Sequence, residues 1–132
     1  MIFLDTSAIY ALADVADPNH GRAVALFQQA LETQEDLLTH NYVLVESAAL
    51  IQNRLGFSSA QRFLHDSQSF TVYWMTEQDH SEVVSLLEQR NRRGLSLVDC
   101  ASFVVMRRYG ASRALAFDSD FEQEGFVLFG KD

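Results

Sequence analysis

The first ten residues, MIFLDTSAIY (1–10), decide the fold class. Ile2, Phe3 and Leu4 form an apolar run with no polar alternation, the pattern of a strand covered on both faces. Asp5 ends the run, and TSAIYALADV (6–15) reads as a short helix with Ser7 as its expected N-cap. A buried strand feeding at once into a helix is the opening half of a β–α unit, from which parallel sheets are built.

The same grammar recurs along the chain. Asp17-Pro18 predicts the start of a second helix, proline being favoured at the first helical position. Ala23, Leu26, Phe27, Ala30 and Leu31 fall on one face of it. DLLTH (36–40) is a strand candidate, and residues 41–55 form a helix that Gly56 closes. Ser58 and Gln61 make a capping-box pair for a helix to Ser67, and FTVYWM (70–75) reads as a buried strand. Thr76 and Asp79 open a helix expected to run through Arg93 to Gly94, and Ser96 and Asp99 open another that Gly110 stops. RALAF (113–117) and FVLF (126–129) are the last two strands. Uniformly apolar strands separated by about six helices predict an α/β protein, a three-layer α/β/α sandwich on a five-stranded parallel sheet. With one proline, scattered glycines and no repeat, residues 1–132 are expected to form a single domain.

Composition narrows the chemistry. Eighteen acids against ten bases give a net charge of −8, which argues against binding nucleic acid through bulk charge. Lys131 is the only lysine, so no Gly-Lys-Ser/Thr step exists for a phosphate-binding loop, and Schiff-base chemistry has no internal candidate. Cys100 is alone, which excludes an internal disulfide and a multi-cysteine zinc site, and the four histidines show no helical pair at metal-ligand spacing. No apolar run approaches the ~18 residues of a membrane span, and no signal peptide is evident, so a cytoplasmic protein without membrane contact is expected.

Four acids border apolar runs: Asp5, Glu46 in NYVLVESAALIQ (41–52), Asp99 in LSLVDCASFVVM (95–106) and Asp118. Each has a plain structural reading. Asp5 is an N-cap-region acid feeding Thr6-Ser7, Asp99 completes a Ser-x-x-Asp capping box, Asp118 and Asp120 are turn residues, and Glu46 can reach solvent from the edge of its stripe. A glutamate in mid-stripe is nevertheless expected to point inward, and Asp5 and Asp118 each follow a strand that should neighbour the other. Ligand sites of such sheets lie beyond the carboxyl ends of the strands. Carboxylates crowded there repel unless a hard cation binds between them, and Mg²⁺ takes that role with one or two direct carboxylates and several waters. Two such ions about 4 Å apart support phosphodiester hydrolysis.

The order FLDTSAI (3–9), VESAAL (45–50), SLVDCAS (96–102) and AFDSDF (116–121) resembles the PIN domain, and specifically its VapC-type toxin branch, from Ile2 to Phe129. The resemblance implies an endoribonuclease dependent on Mg²⁺ or Mn²⁺, hydrolysing RNA to leave a 5′-phosphate and a 3′-hydroxyl. It also implies the toxin of a type II toxin–antitoxin pair, with a cognate antitoxin whose basic tail enters the acidic groove, and a homodimer. Asp5, Glu46, Asp99 and Asp118 match the four site acids, with Asp5, Asp99 and Asp118 as metal ligands. Asp120 matches an additional, more variable acid, and Ser7 and Ser96 match hydroxyl residues beside the first and third acids.

Arg90, Arg92 and Arg93 cluster before the helix of Asp99, as helix C-terminal cations or as phosphate contacts on RNA. Four other readings compete. A receiver-type signalling module needs an acidic pair at the first strand and a late lysine, and a haloacid-dehalogenase site needs Asp-x-Asp where this chain has Asp5-Thr6-Ser7. A PIN nuclease of RNA processing outside any toxin–antitoxin pair shares the acid set, whereas a non-catalytic binding module would have no need of it.

Overall fold

The computed structural model describes residues 1–131. Five parallel strands, β1 (Ile2–Leu4), β2 (Leu37–His40), β3 (Thr71–Tyr73), β4 (Arg113–Leu115) and β5 (Val127–Leu128), form one sheet in the order β3-β2-β1-β4-β5. The helices are α1 (Thr6–Ala13), α2 (His20–Glu32), α3 (Asn41–Leu55), α4 (Phe57–Asp66), α5 (Glu77–Arg90), α6 (Leu97–Tyr109) and the short α7 (Asp120–Gln123). A 3₁₀ turn, Ser67–Ser69, follows α4.

β1 is central and its three residues are fully buried, because helices cover both sheet faces. α1 packs on α2 and α3, and α3 on α4; α5 and α6 pack together, with α6 against β2. This is the three-layer α/β/α sandwich expected. Cys100 through Met106 are all buried, so α6 is enclosed on every side and its apolar residues need no amphipathic stripe. None of the described helices is long and apolar enough to cross a membrane.

The chain moves outward from β1 to β2 and β3, then returns to place β4 on the other side of β1. The switch point therefore lies between the carboxyl ends of β1 and β4, where Asp5 and Asp118 follow their strands.

Several local expectations are corrected. Asp5, not Ser7, is the N-cap of α1, its carboxylate accepting the Ser7 N–H. Asp17-Pro18 forms a turn instead of opening α2: Asp17 Oδ1 accepts the Asn19 N–H at 2.8 Å and its carbonyl accepts the His20 N–H, which delays the helix to His20. Ser58 and Gln61 form no capping box, because Gly56, at φ 101, already turns the chain and serves as the N-cap of α4. β3 pairs only with β2, so this edge strand is half-exposed and Trp74 beyond it is 67% exposed, not buried. α5 ends at Arg90 because Asn91 adopts the left-handed conformation (φ 46) and its N–H caps Leu87 O, three residues before Gly94.

Candidate metal centre and active site

Asp5, Asp99 and Asp118 converge from three separated segments, each offering a carboxylate oxygen within 4.8 Å of the others. Asp5 is buried, and Asp99 and Asp118 are half-buried. β1 delivers Asp5, the turn after β4 delivers Asp118, and the first turn of α6 delivers Asp99.

Each carboxylate is held from behind. Asp5 Oδ2 accepts the Ser7 hydroxyl at 2.6 Å and the Ser7 N–H at 3.2 Å. Ser7 Oγ in turn accepts the Phe117 N–H at 3.1 Å, while the Asp5 N–H donates to Leu115 O. One hydroxyl thus ties the end of β1 to the segment that carries Asp118. Asp118 Oδ1 accepts the Asp120 N–H at 3.0 Å. Asp99 and Ser96 form the expected capping box, and Asp99 still belongs to the acid cluster: the structural and functional readings of this residue are both true.

Burial and mutual repulsion disfavour the charged forms. Asp5 is pushed up to about 7, chiefly by desolvation, with the charges of Asp118 and Asp99 adding to it against the Ser7 hydrogen bonds. Asp99 and Asp118 are raised in the same direction, again mainly by burial, and the nearby charge of Asp120 contributes to both. Three hard oxygen donors that resist ionising together have the chemistry of a divalent-cation site, since a bound cation would favour the ionised form of all three.

Glu46 corrects an expectation. It lies on α3 but is exposed, outside the converged cluster, and its carboxylate has no hydrogen-bond or ion-pair partner among the described residues. The buried face of α3 is Val43, Leu44, Ser47 and Ile51, so Glu46 stands beside the stripe, next to Val45 at 69% exposure. Asp120 opens α7 and faces Arg92, its Oδ1 lying 3.6 Å from the guanidinium.

The arginine cluster divides. Arg90 is bound to Glu124, with contacts of 2.5 and 3.1 Å, and Arg107 joins the same carboxylate at 2.7 Å. Their pairing holds Glu124 down at about 2. Arg90 is therefore committed to packing α5 against the α7 region. Arg92 sits beside the acids through Asp120, and Arg93 is exposed without an ion pair among the described residues.

Sequence reasoning overlooked His40. It is fully buried at the end of β2 and is the N-cap of α3, its Nδ1 accepting the Val43 N–H. Nε2 therefore carries the proton and donates to Ser102 Oγ at 2.9 Å, and Ser102 donates to Val98 O. The helix of Glu46 is thereby tied to the helix of Asp99. The signal was a histidine between an apolar strand and a helix, a position where Ser, Thr, Asp or Asn is usual. Cys100, buried beside Asp99, has its thiol pushed up to about 11 by burial, which leaves it inert as a nucleophile.

Comparison with known proteins agrees with this geometry. The PIN domain family matches residues 2–126. The 23S rRNA-specific endonuclease VapC20 of Mycobacterium tuberculosis is 35% identical over 129 residues, covering 96% of each chain. The crystal structure of VapC20, described as a sarcin-ricin loop cleaving toxin, superposes with a TM-score of 0.84 at 32% identity, covering 96% of this chain and 97% of that one. FitAcB from Neisseria gonorrhoeae (TM-score 0.67, 17% identity, covering 98% and 97%) and PAE2754 from Pyrobaculum aerophilum (TM-score 0.62, 22% identity, covering 96% and 87%) share the fold. Matched from its first strand to the edge of its last and carrying the three-acid cluster at its switch point, the chain belongs to the PIN domain family.

Proposed function

We propose that this protein is a Mg²⁺- or Mn²⁺-dependent endoribonuclease acting as the toxin of a type II toxin–antitoxin pair. The observation that carries the reading is the convergence of Asp5, Asp99 and Asp118 at the switch point of the sheet. Asp5, Asp99 and Asp118 would hold the cation, which when bound supplies Lewis-acid polarisation of the phosphate and lowers the pKa of an attacking water. Ser7 fixes the rotamer of Asp5, and Ser96 fixes Asp99 at the mouth of α6. Asp120, whose N–H donates to Asp118, adds to the acidic shell and would help orient water, a role this proposal extends to Glu46 on the exposed side of α3. Arg92, beside Asp120, offsets part of the local negative charge and meets an incoming phosphate.

The similarity to VapC20 makes 23S rRNA, and the sarcin-ricin loop in particular, the first substrate to test, and a cognate antitoxin is the expected partner in the cytoplasm. A homodimer remains part of this proposal. Incubation of the protein with ribosomal RNA should give discrete cuts that need Mg²⁺ or Mn²⁺, stop with chelator and vanish in Asp99→Asn, leaving 5′-phosphate and 3′-hydroxyl ends. Cleavage that persists in chelator would overturn the metal assignment. Growth arrest on expression, relieved by the neighbouring gene, tests the toxin role separately.

A further inference from the structure

Beyond the acid cluster, a pocket of about 400 Å³ opens from Asp118 toward α2, lined in part by Arg22, Leu26, Phe117, Phe129 and Lys131. Its volume lies within the 300–1,000 Å³ of small-ligand sites. It shares Asp118 with the proposed metal centre, so an occupant of the pocket would be continuous with a phosphate held there.

Charge and shape give its chemistry. Most arginines of this acidic chain are tied to carboxylates: Arg90 and Arg107 to Glu124, Arg92 to Asp120, Arg108 to Asp79 and Glu82, Arg113 to Glu35. Arg22 has no carboxylate within ion-pair distance among the described residues. Its Nη2 instead donates to the Gly130 carbonyl at 3.1 Å. The backbone passes so close there that a Cβ on Gly130 would meet Leu26 Cδ2 at 2.5 Å and Arg22 Nη2 at 2.8 Å. The guanidinium is thus anchored by a neutral acceptor, with donors to spare and no ion pair among the described residues, while the carboxylates of Asp118 and Glu122 also line the pocket. Lys131, 3.6 Å from Glu122, adds a second cation at the rim. Phe117, half-buried and packed in part against the core, lines the same pocket and offers it a planar ring.

We propose that this pocket is the subsite for the nucleotide flanking the scissile phosphate of the RNA, with Arg22 binding its phosphate and Phe117 stacking on its base. The inference rests on the ribonuclease reading above and assigns the substrate a path that leaves the acids across α2. It also gives a chain of net charge −8 a local cation for a polyanion: an anchored arginine without an ion pair among the described residues, on the pocket that Asp118 shares with the proposed metal centre.

The test couples a residue to a single phosphate. Substrate RNA hairpins carrying one neutral methylphosphonate at each position around the cut are compared for binding, by fluorescence anisotropy with Mg²⁺, and for cleavage. With the wild type, one position adjacent to the cut should weaken binding roughly tenfold, as expected for a lost charge-assisted contact. Arg22→Ala should bind the unmodified RNA roughly tenfold more weakly and lose its sensitivity at that position alone. Arg22→Lys should recover part of the affinity, and Arg62→Ala, on α4 and away from the pocket, should behave as wild type. Because Arg22 is exposed, melting curves of Arg22→Ala establish that it is folded. A wild type that binds and cleaves RNA while every position stays equally sensitive in Arg22→Ala overturns the subsite and leaves the nuclease reading standing. Failure of the wild type to bind or cleave any RNA overturns both.

Discussion

Ser96 and Asp99 cap one helix turn reciprocally, the Asp99 N–H donating to Ser96 Oγ and the Ser96 N–H donating to Asp99 Oδ2, each at 3.0 Å. The same carboxylate faces Asp5 and Asp118. A cap that spends one oxygen on the helix holds its carboxylate in a fixed rotamer at the metal centre.

The two roles separate by substitution. Ser96→Ala removes the acceptor of the Asp99 N–H and should lower metal-free stability by about 1 kcal/mol, while keeping the melting shift with Mn²⁺. Asp99→Asn keeps an oxygen for the Ser96 N–H and removes a charge from the cluster. It should melt no lower than wild type without metal and lose most of the Mn²⁺ shift, which for a site at a hundredfold excess over Kd is about 2.7 kcal/mol. Thermal melts of the three proteins, with and without Mn²⁺, check this; an undiminished shift in Asp99→Asn would remove it from the ligand set.

Ser7 should matter out of proportion to its size. Its hydroxyl donates to Asp5 and accepts from the Phe117 N–H, so Ser7→Ala leaves both without that partner. An unsatisfied buried group costs about 1–3 kcal/mol, a loss that urea denaturation can read. The same substitution leaves Asp5 Oδ2 held only by the backbone N–H of residue 7, and RNA cleavage should fall through kcat with KM little changed. A variant with native stability and native kcat would show that the bridge is dispensable.

The sheet was legible because Ile2, Phe3 and Leu4 and their counterparts are apolar on both faces, and that pattern depends only on burial in a parallel sheet. The acid set was legible because carboxylates next to buried strands need a physical reason. What escaped was fixed by neighbours distant in sequence. FTVYWM is a good strand former, but its exposure depends on β3 having no partner beyond it. Glu46 has apolar neighbours at helical spacing, yet the face that packs is set by where α1 and α6 lie, which periodicity does not report. Arg90 resembled its neighbours until the fold brought Glu124, thirty-four residues away, beneath it.

That last displacement yields a prediction. Arg90→Ala should lower the melting temperature and leave RNA affinity at the wild-type level, because its guanidinium is spent on Glu124. Glu124→Gln should be destabilising in the same assay, since it takes the charge from a carboxylate that serves both Arg90 and Arg107. Arg93→Ala, exposed and unpaired among the described residues, should leave the melt unchanged. An Arg90→Ala protein of native stability and weakened RNA binding would restore Arg90 as a substrate contact.

Stability of the metal-free protein should respond to pH through two buried groups of opposite sign. Asp5, ordinarily near 3.8, is raised to about 7 by desolvation, so the folded state holds its proton more tightly than the unfolded chain. Its contribution is complete below 3.8 and is lost as pH rises through 7. The raised carboxyls of Asp99 and Asp118 act in the same sense. His40, ordinarily near 6.5, is depressed to about 3 by burial, and its neutral ring holds both Val43 N–H and Ser102 Oγ. Its contribution is present above 6.5 and is lost as pH falls toward 3. Between 3.8 and 6.5 Asp5 and His40 oppose each other, so the apo wild type should vary there mainly through Asp99 and Asp118, and it should decline further between 6.5 and about 8. Asp5→Asn should abolish most of the decline above 6.5 and steepen the loss on acidification, whereas Mn²⁺ should remove the decline in the wild type by favouring the ionised carboxylates. Urea midpoints from pH 4 to 8 read all three curves. Asp5→Asn with an unchanged alkaline limb would mean that Asp5 is ionised in the folded apo protein, and the crowding of the three acids would then have to be relieved by something other than a proton or a metal.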